Sequence, residues 1–381
     1  MILKNARVFD ENFNIVRTDI RVDNGRIAQT GDFSGENGLD LSGFTILPGF
    51  IDIHIHGCAN ADTGDADPAS LEKMSRFLVE HGVTSFCPTS MTLSKEELKK
   101  IFSVAESCKD RLSGAYAQGM NMEGPYISME KRGSQNPAYV RDPDPDEFFE
   151  LFESCNGFIR LVDIAPEKPG AENFIKKVLP YATVSIAHTS AGYDEAVKAI
   201  QWGVRHVTHL FNAQSGLTHR APGVVGAVFD TAAKLGIRAE LICDGFHIHP
   251  AALRIAFSVL GEDNSIIVSD SMKAAGCPDG EYELGMQPVY VRNGRALLAD
   301  GTIAASTSNV YEEFKNVISY GIPLRQAVKS VTINPAKAIR ADKETGSVKV
   351  GKYADLTVID DEMNIKAVFV KGELKVDRIR D

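Results

Sequence analysis

Apolar and polar residues alternate along both ends of the chain, and this pattern predicts short β-strands separated by turns. Near the N-terminus the alternating segments precede a hairpin signal at Asn24-Gly25 and comprise residues 6–9, 15–16 and 20–22. Near the C-terminus they comprise residues 346–351, 354–359 and 366–372. We expect the two ends, residues 1–47 and 345–381, to pair into one small β-sandwich domain.

Between these ends, apolar segments typical of strands alternate with segments of helical period. Two helix starts are indicated, one by Asp67 followed by Pro68 and one by the capping box from Ser94 to Glu97. The strand segments are residues 50–54, 83–87, 115–120, 158–164, 182–187, 205–208, 238–242 and 265–268. Eight strands interleaved with helices predict an α/β fold, a (β/α)8 barrel of the TIM type, over residues 48–344.

The first barrel strand carries two histidines at the period of a strand. In the stretch 50–57, three isoleucines lie on one face, and Asp52, His54 and His56 lie on the other. Two imidazoles on one face can bind the same metal ion. The pattern alone is equally compatible with a half-buried strand whose histidines only make hydrogen bonds.

Polar residues also follow most of the other barrel strands, at the end where barrel enzymes build their active sites. In chain order the strand-end residues are His54, His56, Glu123, His188, His209, Asp244, His247 and Asp270. Any one of these could simply hydrogen-bond a neighbouring loop, but strand ends converge in a closed barrel. Four histidines together with Glu123 and Asp270 therefore predict a site for two metal ions. The nitrogen and oxygen ligands suit zinc or iron.

Composition narrows the class of protein. The chain has 381 residues, 44% of them hydrophobic, and a net charge of −10, which disfavours nucleic-acid binding. Its six cysteines form no CxxC pair, so we expect free thiols in a reducing compartment. There is no signal-peptide pattern and no apolar run of about 18 residues, so we predict a cytoplasmic protein that does not enter a membrane.

Several short stretches resemble one known family. They are LPGFIDIHIHG at 47–57, GVTSFCPT at 82–89, EGPY at 123–126, AHT at 187–189, HLFNA at 209–213, HRAPG at 219–223, DGFH at 244–247 and VSD at 268–270. Together they are similar to the N-acetylglucosamine-6-phosphate deacetylases of the amidohydrolase superfamily. The resemblance implies metal-dependent removal of the acetyl group from N-acetylglucosamine 6-phosphate, giving acetate and glucosamine 6-phosphate.

The resemblance also implies roles for the metal ligands. It assigns Glu123, His188 and His209 to the tighter metal. His54 and His56 correspond to a second-metal pair that some members lack, so two metals per subunit are expected here. Asp270 corresponds to the catalytic acid/base.

Further positions are implied to bind the substrate. The backbone N–H groups of Asn212 and Ala213, together with Arg220, correspond to the phosphate site, and His247 to a contact near the phosphate. In the family this arginine comes from a neighbouring subunit, which implies a homodimer. Gln135 stands where the one-metal branch has a histidine that polarises the acetyl carbonyl, and a glutamine can still donate a hydrogen bond there.

Three other interpretations stay open at this point. The same chemistry could act on N-acetylgalactosamine 6-phosphate, since the loop that begins at Cys58 departs from the usual glycine-rich run. A different amidohydrolase, acting on cyclic amides or dipeptides, could use the same barrel, although Arg220 and HLFNA argue against it. Finally, the chain could be an inactive barrel, although none of the expected ligands is missing.

Overall fold

The computed structural model describes residues 1–380, so Asp381, the last residue of the expected terminal domain, lies outside the described part. Ten α-helices are present among these residues. They are α1 (Pro68–Glu80), α2 (Lys95–Cys108), α3 (Pro145–Ser154), α4 (Ala171–Val178), α5 (Tyr193–Gln201), α6 (Gly223–Leu235), α7 (Pro250–Leu260), α8 (Val310–Ser319), α9 (Leu324–Val331) and α10 (Ile333–Ala338).

Helix starts agree with the sequence signals. The side chain of Asp67 accepts a hydrogen bond from the Ala69 amide at the start of α1, where Pro68 is the first residue. Ser94 and Glu97 form the expected reciprocal capping box before α2. These caps satisfy amide groups that would otherwise lack partners.

The N-terminal segment folds into seven short strands. They are β1 (Ile2–Lys4), β2 (Arg7–Phe9), β3 (Ile15–Arg17), β4 (Asp19–Asp23), β5 (Arg26–Gly31), β6 (Leu39–Asp40) and β7 (Thr45–Pro48). Asn24 and Gly25 have φ of 48° and 76° and connect β4 to β5 as an antiparallel hairpin. The predicted hairpin is therefore confirmed.

The centre of the chain forms the predicted barrel. Its strands and their short extensions are β8 (Phe50–Ile55), β9 (Gly57–Cys58), β10 (Ala61–Asp62), β11 (Val83–Ser90), β12 (Tyr116–Ala117), β13 (Met120–Met122), β14 (Ile159–Ile164), β15 (Thr183–Ile186), β16 (His206–Val207), β17 (Arg238–Leu241) and β18 (Ser265–Ile267). All ladders from β8 through β18 are parallel except the small β9–β10 hairpin. The (β/α)8 fold expected from the alternation of strands and helices is thus confirmed.

The third barrel strand differs from its prediction. Residues 115–120 were expected to form one strand, but two short strands, β12 and β13, pair with successive parts of β11. The break falls beside Gly119, where an added Cβ would lie 2.0 Å from Cγ of Arg160. Close approach of the Arg160 side chain leaves no room for a Cβ at this position, which explains the glycine there.

A four-stranded antiparallel sheet follows the last barrel strand and was not predicted. Its strands are β19 (Gly280–Leu284), β20 (Gln287–Arg292), β21 (Arg295–Leu297) and β22 (Ile303–Ala305). Ser134 Oγ donates to the carbonyl of Ala304 at 2.8 Å, and Gln287 donates to the carbonyl of Ser134. These contacts hold the sheet against the loop after β13.

The C-terminal strands pair with N-terminal strands to form a two-sheet sandwich beside the barrel. They are β23 (Leu356–Ile359), β24 (Ile365–Val370) and β25 (Glu373–Asp377). β23 pairs antiparallel with β7, so one sheet contains strands from both ends of the chain. That sheet and the β5-β4-β1-β6 sheet share an apolar core that includes Leu3, Ile46 and Phe369. The terminal sandwich is confirmed.

One terminal strand was predicted wrongly. Residues 346–351 form turns and no strand, although apolar and polar residues alternate there. Gly346 and Gly351 have φ of 83° and 92°, a conformation that an extended strand does not use. The domain boundaries themselves, 1–47 with 345–381 around 48–344, stay a prediction.

Two further expectations concern cysteines and membrane segments. All six cysteines are free thiols, and five of them are buried. Among the described residues, no helix combines the length and the apolar character that crossing a membrane requires.

Candidate metal and active site

Six of the eight polar residues predicted at the strand ends line one cleft of about 460 Å³, and only His54 and Asp244 do not. His54 lies within β8 and His56 directly after it, and Glu123 directly follows β13. His188 and His209 each come two residues after a strand, and all these side chains are buried. The cleft is lined by His56, Glu123, Glu130, Lys131, Arg132, Gly133, Ser134, Gln135, His188, His209, Asn212, Ala213, His247, Asp270, Asp300, Thr302, Ile303 and Ala304.

Glu123, His188 and His209 form one compact group. Oε1 of Glu123 lies 2.9 Å from Nε2 of His188 and 3.1 Å from Nε2 of His209. The two Nε2 atoms are themselves 3.1 Å apart. One carboxylate oxygen and two imidazole nitrogens, all this close to one another, could hold one metal ion.

His54, His56 and Glu123 form a second group that shares the same carboxylate. Nε2 of His54 lies 3.6 Å from Oε1 of Glu123, and Nε2 of His56 lies 3.2 Å from Oε2. Asp270 closes this group, with Oδ1 at 3.4 Å from Nε2 of His54 and 3.3 Å from Nε2 of His56. Glu123 therefore lies between two clusters of nitrogen ligands.

Hydrogen bonds fix the orientation of the second pair of imidazoles. Nδ1 of His54 lies 2.9 Å from Oε2 of Glu240, and Nδ1 of His56 lies 3.3 Å from the carbonyl oxygen of Thr89. A charged carboxylate and a carbonyl can only accept, so each Nδ1 carries the proton. In the neutral rings, both Nε2 lone pairs then face carboxylate oxygens.

The other imidazole pair shows the same arrangement at His188. Its Nδ1 donates to the carbonyl of Lys131 at 2.9 Å, which leaves the Nε2 lone pair directed at Glu123. Lone pairs that face carboxylate oxygens repel each other unless a cation lies between them. The donor set and its orientation thus fit a divalent metal at each group.

The charges of the site agree with this fit. Burial disfavours the imidazolium of His56, but the protonated ring can donate from Nε2 to Asp270 and Glu123, and these hydrogen bonds raise the pKa of His56 to about 10. Burial would also raise the pKa of Glu123, but the positive charge of protonated His54 and hydrogen bonds from the protonated rings of His188 and His209 hold that pKa well below its usual value. The site thus favours positive charge at the position where a metal would otherwise lie between the Nε2 atoms and the carboxylates. The buried carboxylates stay ionised and attract positive charge to the cleft.

Three residues of the two metal groups and their edge have strained backbone. His188, His209 and Asp270 have φ of 39°, 27° and 45°, in the left-handed region that residues other than glycine rarely adopt. Each lies just after a barrel strand, and the turn directs its side chain toward Glu123 or His54. Such strain of about 1–3 kcal/mol per residue is found mainly at functional sites, where the surrounding structure holds it.

A family model described as the amidohydrolase family matches residues 45–375 of the chain. The chain belongs to the amidohydrolase family. Curated relatives of this amidohydrolase include N-acetylglucosamine-6-phosphate deacetylase from Bacillus subtilis (strain 168), 33% identical over 386 residues, covering 98% of this chain and 96% of the relative. N-acetylgalactosamine-6-phosphate deacetylase from Escherichia coli O157:H7 is 31% identical over 333 residues, covering 86% and 87%.

Solved structures resemble the amidohydrolase over its whole length. An N-acetyl-D-glucosamine-6-phosphate deacetylase variant from Mycobacterium smegmatis, solved in complex with N-acetyl-D-glucosamine 6-phosphate, is 29% identical with a TM-score of 0.92. The superposition covers 99% of each chain. The match therefore includes the terminal sandwich as well as the barrel.

Of the residues expected to bind the substrate phosphate, all but Arg220 line the cleft of this amidohydrolase. Asn212, Ala213 and His247 line the cleft, and Nδ1 of His247 lies 2.7 Å from Oδ2 of Asp244. Arg220 is exposed and lines a separate surface cleft. Within one chain, the structure does not bring Arg220 to the metal groups.

Gln135 lines the cleft, but the protein itself engages both ends of its amide. Its Nε2 donates to Oε2 of Glu123 at 2.6 Å, and its Oε1 accepts from the Thr92 amide at 2.6 Å. A role in polarising the acetyl carbonyl stays a prediction. The contact itself orients Glu123, the carboxylate that the two metal groups share.

Sequence reasoning missed two features of the site. The first is Glu240, a charged residue in the middle of the apolar strand β17, and this exception to the strand pattern was the available signal. The second is the rim formed by Asp300, Thr302 and Ile303 next to β22. No motif marked that rim, because it comes from the sheet that the sequence did not predict.

Proposed function

We propose that this amidohydrolase removes the acetyl group of N-acetylglucosamine 6-phosphate by hydrolysis, giving acetate and glucosamine 6-phosphate. The observation that carries the proposal is the shared carboxylate of Glu123, with two imidazoles on each side and Asp270 facing His54 and His56. Relatives that match nearly the whole chain carry the name of this activity. The protein is further proposed to act in the cytoplasm.

Two divalent metal ions per subunit, zinc or iron, are proposed to complete the site. Glu123, His188 and His209 would hold the first, and His54, His56 and Glu123 the second, with Asp270 at its edge. Bound divalent cations supply Lewis acidity, which lowers the pKa of water toward about 7 and polarises a carbonyl oxygen.

Asp270 is proposed to move the proton that amide hydrolysis requires. Burial would raise its pKa, but the charges of His54 and His56 lower it, so the carboxylate is ionised and can accept a proton from the attacking water. It then returns the proton to the amine nitrogen as the carbon–nitrogen bond breaks. Without that proton the leaving group would be an amide anion, which leaves poorly.

The phosphate of the substrate is proposed to bind beside Asn212, Ala213 and His247, which line the cleft. The backbone N–H group of Ala213 and the imidazole of His247 would donate to it, and the Asn212 N–H, which donates to the carbonyl of His209 at 3.0 Å, would have to be shared. Arg220 of a second subunit would add a charge-assisted pair to the phosphate. Its exposure on the surface of one chain leaves it free to reach a partner in a homodimer.

A complementation experiment tests the shared site. R220A and D270N would each be inactive alone, because each dimer lacks one component in both sites. Mixed and reassociated, they should form heterodimers in which one site has both residues, restoring about a quarter of wild-type activity if association is random. No recovery from confirmed heterodimers would exclude the contribution of Arg220 from a neighbouring subunit.

The substrate is tested by acetate release from three sugars under the same conditions. N-acetylglucosamine 6-phosphate should react much faster than its unphosphorylated form or the galactosamine epimer. Preference for N-acetylgalactosamine 6-phosphate would replace the proposed sugar with that of the Escherichia coli relative. Equal rates with and without phosphate would exclude the proposed phosphate site.

A further inference from the structure

Glu240 is a buried carboxylate beneath the second metal group. It lies in β17 and its side chain is 0% exposed. Its Oε2 accepts from Nδ1 of His54 at 2.9 Å and from the His209 amide at 3.3 Å. Through one oxygen atom it therefore contacts a residue from each of the two metal groups.

The charge of Glu240 has few partners inside the barrel. Among the described residues, its ion pairs are made only with imidazoles, namely His54 and, at 3.6 Å from Oε1, His206. In the part of the chain that the structure describes, no lysine or arginine is paired with Glu240, and Asp163, another buried acidic side chain of the barrel interior, accepts a hydrogen bond from Thr208. A buried carboxylate with so few partners is costly, which favours a positive charge nearby.

His54 differs in this contact from the other oriented imidazoles. Nδ1 of His56 and Nδ1 of His188 donate to the neutral carbonyls of Thr89 and Lys131. Of these three metal-site imidazoles, only His54 has its Nδ1 paired with a carboxylate, that of Glu240. A carboxylate behind a metal-binding imidazole fixes the tautomer and makes the other nitrogen a stronger ligand.

Nε2 of His54, the ring nitrogen that does not contact Glu240, faces the proposed position of the second metal. This nitrogen is buried and has no hydrogen-bond partner among the described residues. It faces Glu123 at 3.6 Å and Asp270 at 3.4 Å.

We propose that Glu240 is a positioning residue for the second metal. It locks His54 with the proton on Nδ1, and its negative charge strengthens the binding of a cation at Nε2. The inference rests on the proposed function only in assuming a second metal beside His54 and His56. Glu240 should raise the metal affinity of the second site, at His54 and His56, and should leave the affinity of the first site unchanged.

Zinc titration of E240Q tests the charge of Glu240. Glutamine keeps the size of the side chain and an acceptor oxygen but removes the charge. Starting from chelator-treated protein, the second zinc ion should bind roughly 10–100-fold more weakly than in the wild type, while binding of the first is unchanged. The matched control, D163N, alters a buried carboxylate of the same barrel without touching a metal ligand and should bind both ions normally.

A second measurement uses the wild-type protein, in case E240Q does not fold. In zinc-loaded protein labelled with ¹⁵N-histidine, long-range ¹H–¹⁵N spectra report the tautomer of each imidazole, and H54N identifies the signals of His54. The proton should lie on Nδ1. A proton on Nε2, or unchanged zinc affinity in folded E240Q, would overturn the inference.

Acetate release by the same samples separates this inference from the proposed function. Wild-type protein that binds two zinc ions but releases no acetate would contradict the proposed function and leave the role of Glu240 to the titration. Active wild-type protein with an E240Q titration identical to its own would contradict only the role of Glu240.

Discussion

The backbone amide of Asp270 donates a hydrogen bond to the carbonyl of His54, with 2.9 Å between nitrogen and oxygen. This bond joins the segment after the last barrel strand to the first strand. One layer below, Asp52 accepts from the hydroxyl of Ser269 at 2.6 Å. The first and last strands thus meet where Asp270 faces His54 and His56, and this contact between the two strand ends sets that geometry.

Replacing Asp270 by asparagine should abolish most of the activity. D270N keeps the shape of the side chain but cannot accept a proton, so kcat should fall roughly 10²–10⁴-fold. Acetate release at saturating zinc, with zinc content measured on the same sample, checks this. D300N, which alters an exposed carboxylate at the rim of the cleft, is the control and should stay near wild type. Near-wild-type turnover by zinc-loaded D270N would exclude the assigned role.

Replacing Gln135 by leucine should weaken metal binding. The amide of Gln135 orients Glu123, so Q135L should lose about tenfold or more in zinc affinity, as measured by competition with a chelator. S134A is the control, because Ser134 lies on the same loop but bonds Ala304. If Q135L kept its zinc affinity and only KM rose, Gln135 would instead contact the substrate.

The sequence predicted which polar residues would lie together because parallel strands end at the same rim. Once eight strands were recognised, the polar residue after each one had to lie at the same rim, whatever its position in the chain. The contact of Glu240 was not predicted, because Glu240 lies within a strand and its partner, His54, is 186 residues away in the chain. The contact depends on which strand faces which across the barrel, and periodicity does not report it.

The parts predicted poorly are those that depend on tertiary contacts. The break between β12 and β13 lies beside Gly119, where Arg160 of the neighbouring strand packs against the backbone, and the sequence alone does not show that contact. In the sheet of β19–β22, β21 and β22 have three residues each and much of β19 is exposed, so the apolar pattern is weak. The turns at 346–351 arise from the conformations of two glycines rather than from the polarity of the residues between them.

The stability of the protein should fall in mild acid because of His206. Burial outweighs the attraction of Glu240 and lowers the pKa of His206 to about 4. The folded state keeps this imidazole neutral, whereas the unfolded chain takes up a proton below pH of about 6.5. Between pH 7 and pH 5 the free energy of unfolding should therefore drop by about 2 kcal/mol on account of His206.

Urea unfolding of wild type and H206Q at both pH values measures this contribution. Both proteins are treated with chelator, so that loss of metal in acid affects neither comparison. The wild type should lose about 2 kcal/mol more than H206Q between pH 7 and pH 5. Equal losses would mean that His206 is protonated in the folded protein.

Removing the ring of Phe314 should destabilise the base of the barrel. Phe314 is fully buried, and its ring centroid lies 5.1 Å from that of Phe50, the first residue of β8. F314A should lower the free energy of unfolding by about 3–5 kcal/mol, measured with urea. L374A, at a partly exposed position, is the control and should cost far less. A loss below about 1 kcal/mol for F314A would contradict tight packing beneath β8.

This amidohydrolase is proposed to hydrolyse the acetyl amide of a phosphorylated amino sugar with the help of metal bound between Glu123 and the four histidines. That proposal is tested most directly by acetate release from N-acetylglucosamine 6-phosphate, using protein as purified, after chelation, and after zinc or iron is restored. Acetate should form in the first sample, nearly disappear in the second and return in the third. Release that survives complete removal of metal, or its absence from protein that contains two metal ions, would contradict the account.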